Sequence, residues 1–362
     1  MLLSVFGTPS ALMYGGLNVV RNLVELGIGA HKLINANTIA GLREMIAVRG
    51  PGYGAGAVFY SDLPDADLCA LFIKIRAPMV LFVDGFEDVV SYVSKSRSMS
   101  VFDSIRLASR SICALEPLIK SDLAMKFDSR AYGSPVKDIV AAIATFFGLA
   151  LPVAKVDQIA SSLIGEGGAE FCLSDYLFST FPHVALPGAA IRAFAVDDRR
   201  LIGQVASAYS AIVAGRSFDR MDWPMNMFMN SDNPAAPFPG RVELWGPARF
   251  IAYGPYLHLT SGQWRAKVMF EIAQNHSGNQ LYVDAYAGEI LSVVTTQLPP
   301  QGTYTFEISF EITNPLEPVQ LRFQILSGAI EGVFTLNRTS LERVGEVRST
   351  ADAGTEVLES SR

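Results

Sequence analysis

The spacing of apolar residues changes character about two-thirds of the way along the chain. Over residues 1–220, short apolar runs alternate with segments of helical period, the pattern of an α/β layered fold. Leu2 to Phe6 reads as a buried strand, followed by a turn-rich loop from Gly7 to Gly16 and an amphipathic helix over Leu17 to Leu26. Ala57 to Tyr60 and Met79 to Val83 read as further strands, and the second has no polar residue, as a strand covered on both faces requires. Helices are expected over residues 86–96, 104–119, 134–147, 157–164 and 199–213. Residues 221–240, with four of the 19 prolines and little periodicity, read as a connector packed against a domain. From 241 to 344 the period becomes two, in short segments such as RVELWG, FIAYG, YLHLT, NQLYVDAYA and VQLRFQILS, separated by turn residues. That is the pattern of an all-β sandwich, jelly-roll or immunoglobulin-like. Residues 345–362 are polar and are expected to form a disordered tail.

Composition narrows the function classes. Half of the 362 residues are hydrophobic and 18% are charged, which excludes a disordered or charge-dominated chain. A net charge of -6 argues against a nucleic-acid binder, which needs a basic face to neutralise phosphates. Cys69, Cys113 and Cys172 are too scattered for a disulfide framework or a zinc site. They read as buried thiols, and a cytoplasmic location is expected. Mean hydropathy is +0.28, so a membrane span has to be tested. The uncharged apolar run Ile139 to Ala154 falls short of the roughly 18–20 residues a span needs, and Gly148 and Pro152 interrupt it. The start, MLLSVFGTPSALMYGG, lacks the basic residues of a signal peptide. No span is expected. The apolar content suits an interface with another protein or a homo-oligomer.

The first strand–loop–helix is where an anion would sit, at a helix N-terminus. It has no Gly-Lys-Ser/Thr, so it is not a Walker A loop. Its layout resembles the sulfotransferase branch of P-loop folds. Gly7, Thr8 and Pro9 match the start of that family's donor loop, and Ser10 stands where the family has a basic residue. After the strand Met79 to Val83, Asp84 stands at the position of an arginine that in the family holds the donor's 3′-phosphate, with Ser91 at the serine position. Phe146 to Leu149 echoes a later family turn. The resemblance implies a P-loop-like fold over about residues 1–165. Replacing a phosphate-binding Arg by Asp turns attraction into repulsion, so the implied donor site is degenerate. On the residues alone, 7–16 also reads as an ordinary βα turn and Asp84 as a helix cap.

Other candidate chemistry is sparse. His31 and Glu87 are the candidates for a base, and Arg21, Lys32, Arg76 and Lys95 are the only near basic candidates for the loop. His183 lacks a nucleophile elbow around any serine, and no metal-ligand spacing is present. In the β region, Gly254, Pro255, Tyr256, Leu259, Gly262 and Trp264 stand at the places of a run shared by sandwiches appended to bacterial glycosyltransferases, which the segment resembles. A sugar site needs aromatic faces for C–H surfaces and polar groups for hydroxyls. Trp245, Tyr253, Tyr256, Trp264, Tyr282, Asp284 and Tyr286 are the candidates, with a core role as the alternative for Trp264.

The preferred reading is a non-catalytic accessory or assembly protein without a cofactor, acting in bacterial surface-polysaccharide or surface-structure work, with other protein copies or a glycan as partner. The alternatives are an active sulfotransferase or glycosyltransferase with an atypical donor site, using 3′-phosphoadenylyl sulfate in the sulfo case, and a structural oligomer subunit without ligand.

Overall fold

A computed structural model describes residues 2–29, 31–47, 56–164, 171–181, 187–233 and 236–347. The chain divides into two compact units, Met1–Ser217 and Phe218–Arg362.

The first unit is α/β. Its elements run β1 (Leu2–Gly7), α1 (Ala11–Gly27), β2 (His31–Asn35), α2 (Ile39–Ala47), β3 (Gly56–Ser61), α3 (Ala66–Lys74), β4 (Met79–Phe82), α4 (Phe86–Ser96), α5 (Val101–Ile119) and β5 (Ala124–Phe127). They continue as α6 (Val136–Phe146), α7 (Val153–Ile164), α8 (Leu173–Thr180) and α9 (Val196–Val213). The five strands are parallel in the order β2-β3-β1-β4-β5. Both faces are covered, which is why β4 is apolar throughout and β1 carries only the buried Ser4 as a polar residue. On one side Leu12, Val20 and Leu23 of α1 join Ile139 and Ile143 of α6 and Leu173 and Leu177 of α8 in a continuous core. Elsewhere in the unit Phe6, Phe59 and Phe72 pack together at centroid distances of 5.1–5.5 Å.

Two sequence expectations change here. The stretch 7–16 is not a ten-residue loop, because Ser10 caps α1 by accepting from the Met13 N–H and the helix starts at Ala11. Gly15 and Gly16 are helical residues chosen for close packing: a Cβ on Gly15 would overlap Leu177, and one on Gly16 the Phe82 ring. The edge strands β2 and β5 are too short and too polar to be read from period alone.

The second unit is antiparallel and all-β. Its strands are β6 (Arg220–Trp223), β7 (Met229–Asn230), β8 (Arg241–Glu243), β9 (Arg249–Leu257), β10 (Gly262–Ala273), β11 (Gln280–Ala287), β12 (Glu289–Gln297), β13 (Gly302–Ile312), β14 (Val319–Ile325) and β15 (Val333–Gly345). They form one sheet in the order β13-β10-β15-β6, with β8 also on β15, and a second in the order β12-β11-β14-β9-β7. Side chains from the two sheets meet between them, as in Phe323 of β14 against Phe334 of β15 at 5.8 Å. The proline-rich stretch 221–240 is woven into this unit, with β6 pairing β15 and β7 pairing β9. Its apolar residues Trp223, Met227, Phe228 and Phe238 are buried, which draws the segment into the core. FIAYG and the first two residues of YLHLT share one strand, β9, which ends at Leu257. The last strand runs to Gly345, and the rest of the expected tail beyond residue 347 lies outside the described residues.

Candidate functional site

In an open parallel sheet, ligands bind beyond the carboxyl ends of the strands where the chain switches direction. Here the chain leaves β1 toward β2 and β3 and leaves β4 toward β5, so the switch lies between the ends of β1 and β4. The loop positions Gly7 to Ser10 and Asp84 do converge there, and they close the crevice. The Thr8 N–H donates to the Phe82 carbonyl at 3.2 Å, and the Asp84 N–H donates to Thr8 Oγ1 at 3.0 Å. Thr8, Ser10, Asp84 and Ser91 are all at most 1% exposed. Gly7 is required by this stitching, since a Cβ would overlap the Phe82 carbonyl oxygen.

Asp84 does not cap α4, whose N-cap is Gly85. Its Oδ2 accepts from the Tyr132 hydroxyl at 3.2 Å. Its Oδ1 meets no donor at hydrogen-bonding geometry among the described residues, although the Ser10 hydroxyl and the Leu12 N–H are close enough to favour the charged form. Burial outweighs them and pushes the carboxyl up to about 7, with the charge of Asp88 adding to the rise. Among the described residues, no Lys or Arg hydrogen-bonds or ion-pairs with residues 7–10 or 84. His31 and Lys32 begin β2 and Arg76 precedes β4, all at the opposite end of the parallel sheet. Arg21 lies more than two turns into α1, and Lys95 is in the last turn of α4. Glu87 sits in the first turn of α4 beside Asp88, where acidic side chains offset the helix dipole. His183 lies outside the described residues.

One polar cluster in this unit has no signature in the sequence. Tyr14 of α1 donates to Asp62 Oδ2 at 2.9 Å, and Arg97 donates to the Tyr14 hydroxyl at 3.1 Å and pairs with Asp62 at 3.5 Å. Burial and the Asp62 charge hold the Tyr14 phenol far above its ordinary range. Members separated by 48 and 83 residues leave no local signal.

The second unit places its candidates differently. Along β11, Leu281, Val283 and Ala285 point into the core, so Tyr282, Asp284 and Tyr286 share the outer face. On β14, Leu321, Phe323 and Ile325 are buried, Arg322 and Gln324 alternate with them as half-buried residues, and Gln320, of the same parity, is itself buried. Register sets Arg322 directly between Asp284 on β11 and Tyr253 on β9, with Gln320 opposite Tyr286 and Gln324 opposite Tyr282. The Arg322 fork closes on Asp284, Nε to Oδ1 at 2.7 Å and Nη2 to Oδ2 at 2.9 Å. Its guanidinium lies 4.0 Å from the Tyr286 ring centroid and 5.7 Å from that of Phe250. Burial, then the charge of Asp284 and hydrogen bonding to it, raise the Tyr282 phenol. Tyr256 meets Tyr253 edge-on at 6.2 Å. The result is a sheet face of tyrosine rings around a clamped ion pair.

Two candidates lie elsewhere. Trp264 is wholly buried, donating to the Thr260 carbonyl at 2.9 Å and packing on Phe218, so it belongs to the core. Trp245 is 64% exposed, in a turn beside the bridge between Gly246 and Ala329. Arg322, Gln320, Gln324 and Phe250 were missed, although the alternation in VQLRFQI marks the first three as one face. Among the described residues no cluster of three or more His, Cys, Asp or Glu is placed to hold a metal, and no helix is long and apolar enough to cross a membrane.

No protein-family model and no curated protein matches this chain. Solved structures do show likenesses. A mouse sulfotransferase complexed with PAP is 12% identical over 55% of this chain and 80% of its own, with a TM-score of 0.38. A xylan-binding module is 12% identical over 35% of this chain and 98% of its own, with a TM-score of 0.26. A CBM36 domain of a xylanase from the hindgut metagenome of Trinervitermes trinervoides is 14% identical over 33% and 86%, with a TM-score of 0.20. Likenesses this slight concern the fold alone, and the sites rest on the geometry above.

Proposed function

We propose that the protein is a non-catalytic glycan-binding accessory protein, in which the outer face of the second β sheet takes the sugar and the α/β unit is a scaffold whose donor site has decayed. The observation that carries the reading is the grouping of Tyr253, Tyr282 and Tyr286 with Arg322, Asp284, Gln320 and Gln324 on one face. Tyrosine rings offer flat surfaces to sugar C–H groups, and amides, phenols and the remaining Arg322 N–H groups can satisfy hydroxyls. Because the ion pair already fixes the face, little side-chain freedom is lost on binding. In the α/β unit, the crevice expected to grip a donor is laced shut and offers a carboxyl where the resemblance implies an arginine. A role in bacterial surface-polysaccharide work, alone or in an oligomer, fits such a glycan-holding protein.

A thermal-shift titration separates the two halves of the reading. A ligand that binds only the native state raises its stability by RT ln(1 + [L]/Kd). Adenosine 3′,5′-bisphosphate is expected to leave the unfolding midpoint unchanged up to millimolar concentration, while at least one soluble oligosaccharide raises it. A shift at micromolar bisphosphate would replace this reading with that of an active transferase.

A further inference from the structure

We infer that Asp284 is the residue that sets glycan selectivity, by pairing side-on with Arg322 and neutralising its charge, and so reserving the face for uncharged sugars. The inference rests on the glycan-binding reading and sharpens it to a substrate class.

The face carries one cation and one anion. Across the rows that register defines, the neighbours of the pair are Tyr253, Gln320, Tyr282, Gln324, Tyr286 and, on β12, Val293 and Thr295. All of these are uncharged, so the formal charges of Arg322 and Asp284 cancel. An arginine on a binding face is otherwise the natural partner of a carboxylate or sulfate, because its planar fork matches two oxygens at once. Here the side-on edge of the fork is taken. Nε and Nη2 face Asp284 at 2.7 and 2.9 Å, which leaves the N–H groups of Nη1 and the second one of Nη2. The charge that would attract a uronate or a sulfated sugar to those donors is already neutralised by Asp284. Taking the side-on edge itself would displace a carboxylate that is 1% exposed, and stripping a buried charge of its partner is strongly unfavourable. A neutral sugar needs no net charge. Its hydroxyls can use the remaining N–H groups and Gln324 while the pair stays intact, so its binding should be almost independent of ionic strength.

The substitution Asp284→Asn tests the inference, since it keeps shape while freeing the charge of Arg322. Native-gel retardation is measured for wild type and D284N in gels containing dextran, xylan, galactan and β-glucan, and in gels containing the carboxymethyl or sulfated derivative of each, from 50 to 500 mM salt. Circular dichroism and thermal unfolding confirm that D284N is folded. If it is not, the wild-type preference between each neutral polymer and its anionic derivative, read across the salt series, carries the test alone. The expected result is that wild type is retarded by at least one neutral polymer and at least tenfold less by its anionic derivative, with no salt dependence. D284N should gain at least tenfold toward the anionic derivative, and lose that gain at high salt. Wild type preferring the anionic derivative, or D284N folded and showing no gain, would overturn the selectivity role while leaving the glycan reading in place. No retardation of wild type by any polymer, neutral or anionic, would overturn the glycan reading itself and the inference with it.

Discussion

Trp264→Ala is expected to destabilise the β unit strongly rather than to weaken a sugar contact. The indole is wholly buried, meets Phe218 edge-on at 5.1 Å and donates to the Thr260 carbonyl. It sits in the middle of a sheet, with Phe310 opposite on β13 and Arg343 on β15. Removing it takes away a large apolar surface, leaves a cavity and orphans a carbonyl that it satisfied. Truncation of a buried Trp costs about 3–5 kcal/mol. That is a large share of the roughly 5–15 kcal/mol that holds a typical folded domain. Chemical unfolding should show the midpoint of the β unit falling sharply. Tyr253→Ala, on the outer face, should instead leave that midpoint nearly unchanged and act on binding. Equal stabilities for W264A and wild type would contradict the placement of this residue in the core.

The second large effect is a pH dependence centred on Asp84. An aspartate in an unfolded chain titrates near ~3.9. Burial between β1, α1 and β4 pushes this one up to about 7. The groups facing it are the Ser10 hydroxyl and Leu12 N–H of α1, the Tyr132 hydroxyl and the carboxylate of Asp88 on α4. Because the folded pKa is raised, the protonated form is the one the native state prefers. The stabilisation is complete below the unfolded pKa and is lost as pH climbs through about 7. A difference of about three pH units corresponds to on the order of 4 kcal/mol. Denaturant unfolding of wild type and Asp84→Asn at pH 5 and pH 8 isolates this contribution from the other titrating groups. The stability of wild type relative to D84N should fall between the two pH values. A difference that stays flat would show that the carboxyl titrates in its ordinary range.

The sequence announced some of this and hid the rest for identifiable reasons. Central strands such as MVLF in β4 and the long β10 and β11 were legible, because a strand covered on both faces is uniformly apolar and one covered on a single face alternates. The start of α1 was not, because Gly15 and Gly16 look like loop residues, whereas their small size is demanded by Leu177 and the Phe82 ring from distant segments. The same holds for Gly7, which resembles a phosphate-loop glycine and serves close contact between β1 and β4. Four of the seven sugar candidates, Tyr253, Tyr282, Asp284 and Tyr286, fall on one face, with Tyr256 beside it. Trp245 and Trp264 fall elsewhere, since residue type alone does not separate a core indole from an exposed one. Arg322, the centre of the face, was passed over because its meaning comes from Asp284, 38 residues away and opposite only once β11 and β14 are in register.

The most direct test of the account is native-gel retardation by neutral polysaccharides, comparing wild type with the double variant Tyr253→Ala/Tyr286→Ala. Both rings border the clamped ion pair and neither belongs to the buried core. Loss of the ring over Arg322 should cost about 0.5–2 kcal/mol of stability, so the variant remains folded. The account predicts that wild type is retarded by at least one polymer and that the double variant runs as it does in a polymer-free gel. Equal retardation of the two proteins would contradict a sugar site on this face.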